Sequence, residues 1–174
     1  VSAERLTEAE AAAVLAGARP INDPRGAVTT RPSAFEAHRV DGGAATFEPP
    51  VDHRALLVFA SLSCEGCAQL FDAASEPARF GLEGSDELVL IVRDLTDRPA
   101  LEAALGGAPC LVSTDAFDAY RVTSPPFFVL LDPTYATVAT EGVAWGVEAI
   151  SSAVIAALGG APVVEVARLD GTER

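Results

Sequence analysis

The sequence contains no lysine and no methionine, and it holds one tryptophan, two tyrosines, two histidines and three cysteines among 174 residues. Its twelve cations are therefore all arginines, scattered along the chain against 25 carboxylates, for a net charge of −13. No basic patch can be drawn, which argues against nucleic acid as a partner and makes an acidic membrane surface a poor one. Three cysteines are an odd number and too few for a disulfide framework. No apolar run reaches the length of a transmembrane helix, and no signal peptide is expected before Val1. The missing initiator methionine leads us to expect a trimmed or mature chain, with room for a lost N-terminal membrane anchor.

Apolar residues make up 49% of the chain, and there is no low-complexity segment or internal repeat. That is enough for one folded, soluble domain with a substantial core. Thr7-Glu8-Ala9-Glu10 fits a capping box and predicts a helix to Ala16, stopped by Gly17. Pro20, Pro24, Gly26 and Pro32 mark a linker from Arg19 to Ser33. Asp41-Gly42-Gly43 between Phe35–Val40 and Ala44–Phe47 is a hairpin signal.

The apolar runs Ala55–Ala60, Glu87–Arg93 and Phe127–Leu131 read as buried strands, and Cys110–Val112 as a brief one. Thr137–Glu141 returns after the turn at Asp132-Pro133 as an antiparallel partner. Helices are expected over Cys67–Ala74, Asp97–Leu105, Asp115–Tyr120 and Val147–Leu158, with Thr96 or Asp97 capping the second. Pro162–Leu169 reads as an edge strand or a tail. Strands alternating with helices, then a hairpin and a closing helix, predict an α/β fold with a mixed sheet.

Cys64-Glu65-Gly66-Cys67 lies between the first of these strands and its helix. Two cysteines two residues apart can close a small disulfide ring, and a helix N-terminus stabilises a thiolate. In open α/β sheets that end of the strands is where sites form. Thiol–disulfide exchange is the favoured reading; zinc binding and inert packing are the alternatives. Zinc would need two further ligands. Only Cys110, His38 and His53 could supply them, and they lack ligand-like spacing. Cys110 reads as a core residue, His38 and His53 as surface residues, and Trp145 as a packing residue. Phe127 and Phe128 fall on opposite strand faces, so one is expected in the core and the other beside the dithiol. Glu65 is expected to oppose ionisation of the neighbouring cysteine, which favours a reductant or modest exchanger over a strong oxidant.

The chain resembles the thioredoxin-like superfamily in three segments. These are the apolar strand running into Ser63-Cys64-Glu65-Gly66-Cys67, the segment Tyr120–Asp132 with Pro125-Pro126, and Gly142 followed by the closing helix. The early hairpin and the long stretch between Cys67 and Pro126 are most similar to TlpA, ResA and MauD proteins. The resemblance implies a three-layer α/β sandwich over residues 35–160. Residues 1–34 then form a helical and linker extension, and 161–174 a tail. It further implies Cys64 as the attacking thiol, Cys67 as the resolving thiol and Pro126 as a cis-proline. Pro125, Ser63 and Glu65 would line the substrate groove. A protein dithiol or disulfide is the implied substrate, with no metal or bound cofactor. An extracytoplasmic, membrane-tethered bacterial setting is implied for the full-length protein, a cytoplasmic one otherwise.

Three departures from the family pattern stand out. Ser63 replaces the usual tryptophan, Val58 the buried acid or amide six residues before the first cysteine, and Pro125 removes a backbone N–H. They support a second reading, a binding or assembly module of the same fold with weak exchange.

Overall fold

The computed structural model describes residues 31–133, 137–143 and 146–159. The expected helix at Thr7, most of the linker, Trp145 and the Pro162–Leu169 segment lie outside the described residues. So do the helical extension and the tail as units.

Seven strands form one sheet in the order β2-β1-β5-β4-β3-β6-β7. They are β1 (Phe35–Arg39), β2 (Ala44–Phe47), β3 (Ala55–Ala60), β4 (Glu87–Val92), β5 (Cys110–Val112), β6 (Phe127–Asp132) and β7 (Thr137–Val143). β3, β4 and β5 run parallel to one another. β6 pairs antiparallel with β3, β7 with β6, β1 with β5, and β2 with β1. The sheet is therefore mixed.

Period-two alternation along the central strands divides the core into two layers. Leu56, Val58, Leu90, Val92, Phe128 and Leu130 face one side. They pack there on α1 (Ala68–Asp72), α2 (Arg98–Leu105) and α4 (Val147–Ala157). Leu57, Phe59, Val89, Ile91, Phe127 and Val129 face the other side, against α3 (Thr114–Ala119), Tyr120 and the β1–β2 hairpin. All six residues of β3 have 0% exposure, as a strand covered on both faces requires. Helix, sheet, helix is the three-layer sandwich that the family resemblance implied, and the mixed sheet is the one that the alternation of elements implied.

Local chemistry explains most element ends. The Asp97 carboxylate accepts the Ala100 N–H at 3.0 Å and caps α2, and Gly106 ends it in the left-handed conformation at φ +55°. Ser113 caps α3 by accepting the Ala116 N–H at 2.9 Å, so the helix starts at Thr114, one residue before the expected start. The Ser113 hydroxyl also donates to the Glu36 carbonyl of β1, which satisfies a buried polar group on both sides.

Two expectations need correcting. The helix expected over Cys67–Ala74 is a 3-10 turn over Glu65–Cys67 followed by the five-residue α1. Ala73 caps its C-terminal end and Ala74 follows in a turn, both buried at 0% and 5% exposure, shortly before Pro77. Phe127 and Phe128 do lie on opposite faces, but both are buried, and neither lines the cleft beside the dithiol. The aromatic ring at that cleft belongs to Phe117.

Candidate active site

Parallel alignment of β3 and β4 brings their C-terminal ends together, and antiparallel pairing of β6 with β3 places the start of β6 beside them. Three segments therefore meet at this end of the sheet. Ser61–Cys67 follows β3, Arg93-Asp94 follows β4, and Ser124-Pro125-Pro126 precedes β6.

Cys64 and Cys67 form a disulfide with their Cα atoms 5.3 Å apart. The turn that presents them is held by backbone bonds. The Cys64 N–H donates to the Ser61 carbonyl at 3.2 Å and the Cys67 N–H to the Cys64 carbonyl at 3.0 Å. Ser61 also accepts the Ser63 N–H on its hydroxyl at 3.2 Å, and the two serine hydroxyls share a 2.9 Å bond. Ser63 thus belongs to the scaffold of the turn and has no aromatic ring with which to cover the dithiol.

The two sulfurs occupy different environments. Cys67 has 0% exposure inside the first core layer, whereas Cys64 is half-buried and faces the cleft. Val58, also fully buried, shares that layer with Cys67. α1 is short, so few peptide dipoles align behind the turn, and a thiolate here relies mainly on the free N–H groups of the first turn.

The cleft beside Cys64 has a volume of about 490 Å³. Ser63, Glu65 and Pro125 line it, together with Ser61, Arg93 and Phe117. The Pro125–Pro126 peptide is cis, with Pro125 at the cleft and Pro126 buried behind it. Glu65 is exposed on the turn. Leu62, between the two serines, is 43% exposed, and Val143 at the same end of β7 is 37% exposed.

Arg93, Phe117 and Ser61 are cleft residues that motif reading passed over. A cation closing the apolar run Glu87–Arg93, at the C-terminal end of a strand, was the available signal for Arg93. Phe117 carried none, because its position depends on how α3 crosses the sheet.

The third cysteine lies apart. Cys110 begins β5, is 7% exposed and does not line this cleft. Burial pushes its thiol up to about 12, opposed in part by a backbone hydrogen bond at Val92. At neutral pH it is a protonated, inert core residue. His38 is exposed on β1. His53, expected at the surface, is half-buried and lies 2.6 Å from Asp52 and 3.6 Å from Glu87. Among the described residues no three His, Cys, Asp or Glu side chains come together to hold a metal ion. No described helix is long and apolar enough to cross a membrane.

No protein-family model matches the chain, and no curated protein matches its sequence. Solved structures do match. A thiol:disulfide interchange protein of the thioredoxin family from Chlorobium tepidum superposes with a TM-score of 0.58 at 18% identity, covering 77% of this chain and 99% of that one. The dsbF protein of MTB, solved in mixed oxidized and reduced forms, gives 0.53 at 20% identity over 71% of this chain and 94% of its own. StoA from Bacillus subtilis gives 0.53 at 15% identity over 71% and 97%. With the sheet order, the two helical layers and the position of the dithiol, these likenesses show that the chain has the thioredoxin-like fold.

Proposed function

We propose that the protein is a thiol–disulfide oxidoreductase acting on other proteins through Cys64 and Cys67. The observation that carries this reading is the asymmetry of the pair: one sulfur faces a cleft and the other is sealed in the core, bridged at the end of β3. In the reducing direction the Cys64 thiolate attacks one sulfur of a partner disulfide. That S–S bond breaks, a Cys64–partner disulfide forms, and the partner's second sulfur leaves as a thiolate and takes a proton. The Cys67 thiolate then attacks the Cys64 sulfur and releases the first partner sulfur, which is protonated in turn. Two electrons pass to the partner, and the Cys64–Cys67 disulfide remains. The reverse sequence oxidises a partner dithiol.

Protein substrates are favoured by the open cleft and by Leu62, exposed between the cleft residues Ser61 and Ser63, and Val143, exposed at the same end of the sheet, since exposed apolar side chains near a site suit a docked chain. The Glu65 carboxylate next to Cys64 opposes a second negative charge, which supports a reductant or modest exchanger. A slower exchanger, or a binding module, is the second reading. Val58 favours it, because an apolar side chain in the layer around Cys67 supplies no proton acceptor for the resolving step.

The test is the redox equilibrium of the pair in graded thiol buffers, read by alkylation and mass. A reversible two-electron transition well below the roughly −120 mV of DsbA is expected. A pair that never reoxidises would overturn exchange in favour of the binding module, and a midpoint near that of DsbA would overturn the assigned direction. A Cys67→Ser variant should accumulate a mixed disulfide through Cys64, and mass spectrometry of that adduct would identify the partner.

A further inference from the structure

Exchange chemistry gives no task to Arg93, although it lines the same cleft as Cys64. Its guanidinium carbon lies 4.3 Å from the centroid of the Phe117 ring. Nη2 donates to the Val122 carbonyl at 3.0 Å, on the segment that leads to Pro125. Phe117 is 1% exposed, so the ring is a fixed floor. A stacked and hydrogen-bonded guanidinium has little rotamer freedom left to lose when something binds it. The ring and the carbonyl that hold the group leave its positive charge in place. Arg54, by contrast, lies 3.0 Å from the Asp86 carboxylate. Holding an arginine this way in the cleft that the reactive sulfur also lines, in a chain with 25 carboxylates, prepares a seat for an anion from outside.

Two carboxylates share the cleft, Glu65 and Asp94. The Asp94 carboxylate accepts the Thr96 hydroxyl at 2.9 Å, and both acidic residues are exposed. Water and salt screen such charges strongly. A carboxylate pressed onto Arg93 by a docked chain loses that water and can take two parallel N–H donors. Contact at Arg93 then outweighs repulsion at the rim.

We propose that Arg93 is a specificity-determining residue, receiving a side-chain carboxylate that flanks the disulfide cysteine of the partner protein while Cys64 attacks the sulfur. The proposal rests on the exchange reading above.

The test is a single-turnover reduction by protein pre-reduced with dithiothreitol and desalted. The substrates are disulfide-linked dimers of one short peptide carrying Asp, Asn or Lys beside its cysteine, with uncharged hydroxyethyl disulfide as reference. Dividing each peptide rate by the same peptide's rate with 2-mercaptoethanol removes its intrinsic reactivity. The Asp peptide should then react roughly ten-fold faster than the Asn peptide, the size expected of one charge-assisted contact, and 1 M NaCl should shrink the ratio. Arg93→Gln should bring the ratio to one or below, Arg93→Glu should shift preference to the Lys peptide, and Arg93→Lys should keep part of the Asp preference. A wild-type ratio of one, a preference for Lys, or an Asp preference that survives Arg93→Gln overturns the proposal. If the variants do not fold, the wild-type ratio and its salt dependence decide. Failure to reduce hydroxyethyl disulfide at all overturns the exchange reading and this proposal together. Reduction without charge preference overturns this proposal alone.

Discussion

The two ends of the β3–β4 pair use charge in opposite ways. At the N-terminal end Arg54 and Asp86, each one residue before its strand, are joined at 3.0 Å, with the Asp86 side chain only 5% exposed. Asp86 also accepts the Glu83 N–H at 3.2 Å, and the Glu87 N–H donates to the Arg54 carbonyl at 2.8 Å. His53 sits between Asp52 and Glu87, and the hydrogen bond its ring donates to the Asp52 carboxylate is the main reason it titrates above an ordinary histidine. At the C-terminal end the arginine rests on a ring and a carbonyl, and the covalent staple is the reducible Cys64–Cys67 bond. One end closes its charges among themselves and holds the strands in register. The other presents a charge and a reactive sulfur to a cleft. Parallel strands make this division available, because both chains leave the sheet at the same end and open a crevice there.

The contrast between the ends shows itself on substitution and on changing pH. The largest effect lies in the layer between the ends. Cys110 titrates at about 12 in the fold against an ordinary 9.0. Its raised value means the folded state keeps a proton that the unfolded state releases. Stability is therefore intact below about pH 9 and falls as pH rises towards 12, by on the order of 4 kcal/mol in total. Tyr120, raised by burial to about 12 from 10.0, adds a second loss that begins one pH unit higher. Denaturant titrations from pH 8 to 11 should show both, and Cys110→Ala should delay the onset to about pH 10. An unchanged onset in that variant would remove Cys110 as the cause.

The next effect lies at the closed end. Asp86→Ala takes the carboxylate from Arg54 and from the Glu83 N–H. Arg54 is one-third exposed and regains some water, so a loss of about 2 kcal/mol is expected, below the full cost of breaking a buried pair. The redox midpoint of the dithiol should stay where it is. A shifted midpoint would mean that the two ends are coupled and that the division drawn above fails.

The smallest effect lies near the open end. The Tyr120 hydroxyl donates to the Ser33 carbonyl at 2.9 Å and accepts the Ser33 N–H at 3.0 Å, tying the chain before β1 to the second core layer. Tyr120→Phe should lower stability by about 1 kcal/mol, since half-buried Ser33 can turn to water. No change in the unfolding midpoint would make that tie dispensable.

Much of the fold was legible before the structure. The strands at Ala55–Ala60 and Cys110–Val112 and the hairpin at Asp41-Gly42-Gly43 were readable from local pattern alone, because burial on both faces and turn chemistry are written in consecutive residues. The early end of α1 was not, since Ala73 and Ala74 are good helix formers and no local stop signal precedes Pro77. Nor was Ser113 as a cap, because its hydroxyl is oriented by Glu36, 77 residues away.

The site divides the same way. The spacing of Cys64 and Cys67 and their place after a buried strand determined which atoms can form the bond, since a ring that small closes within one turn of chain. The family resemblance already implied Cys64 as the attacking thiol; only the tertiary structure decided that Phe117 rather than Phe127 or Phe128 borders the cleft, and that Arg93 is held there by Phe117 and Val122. Those relations join segments from three parts of the chain. Their physical cause is the packing of α3 against the sheet, which no local run of residues encodes.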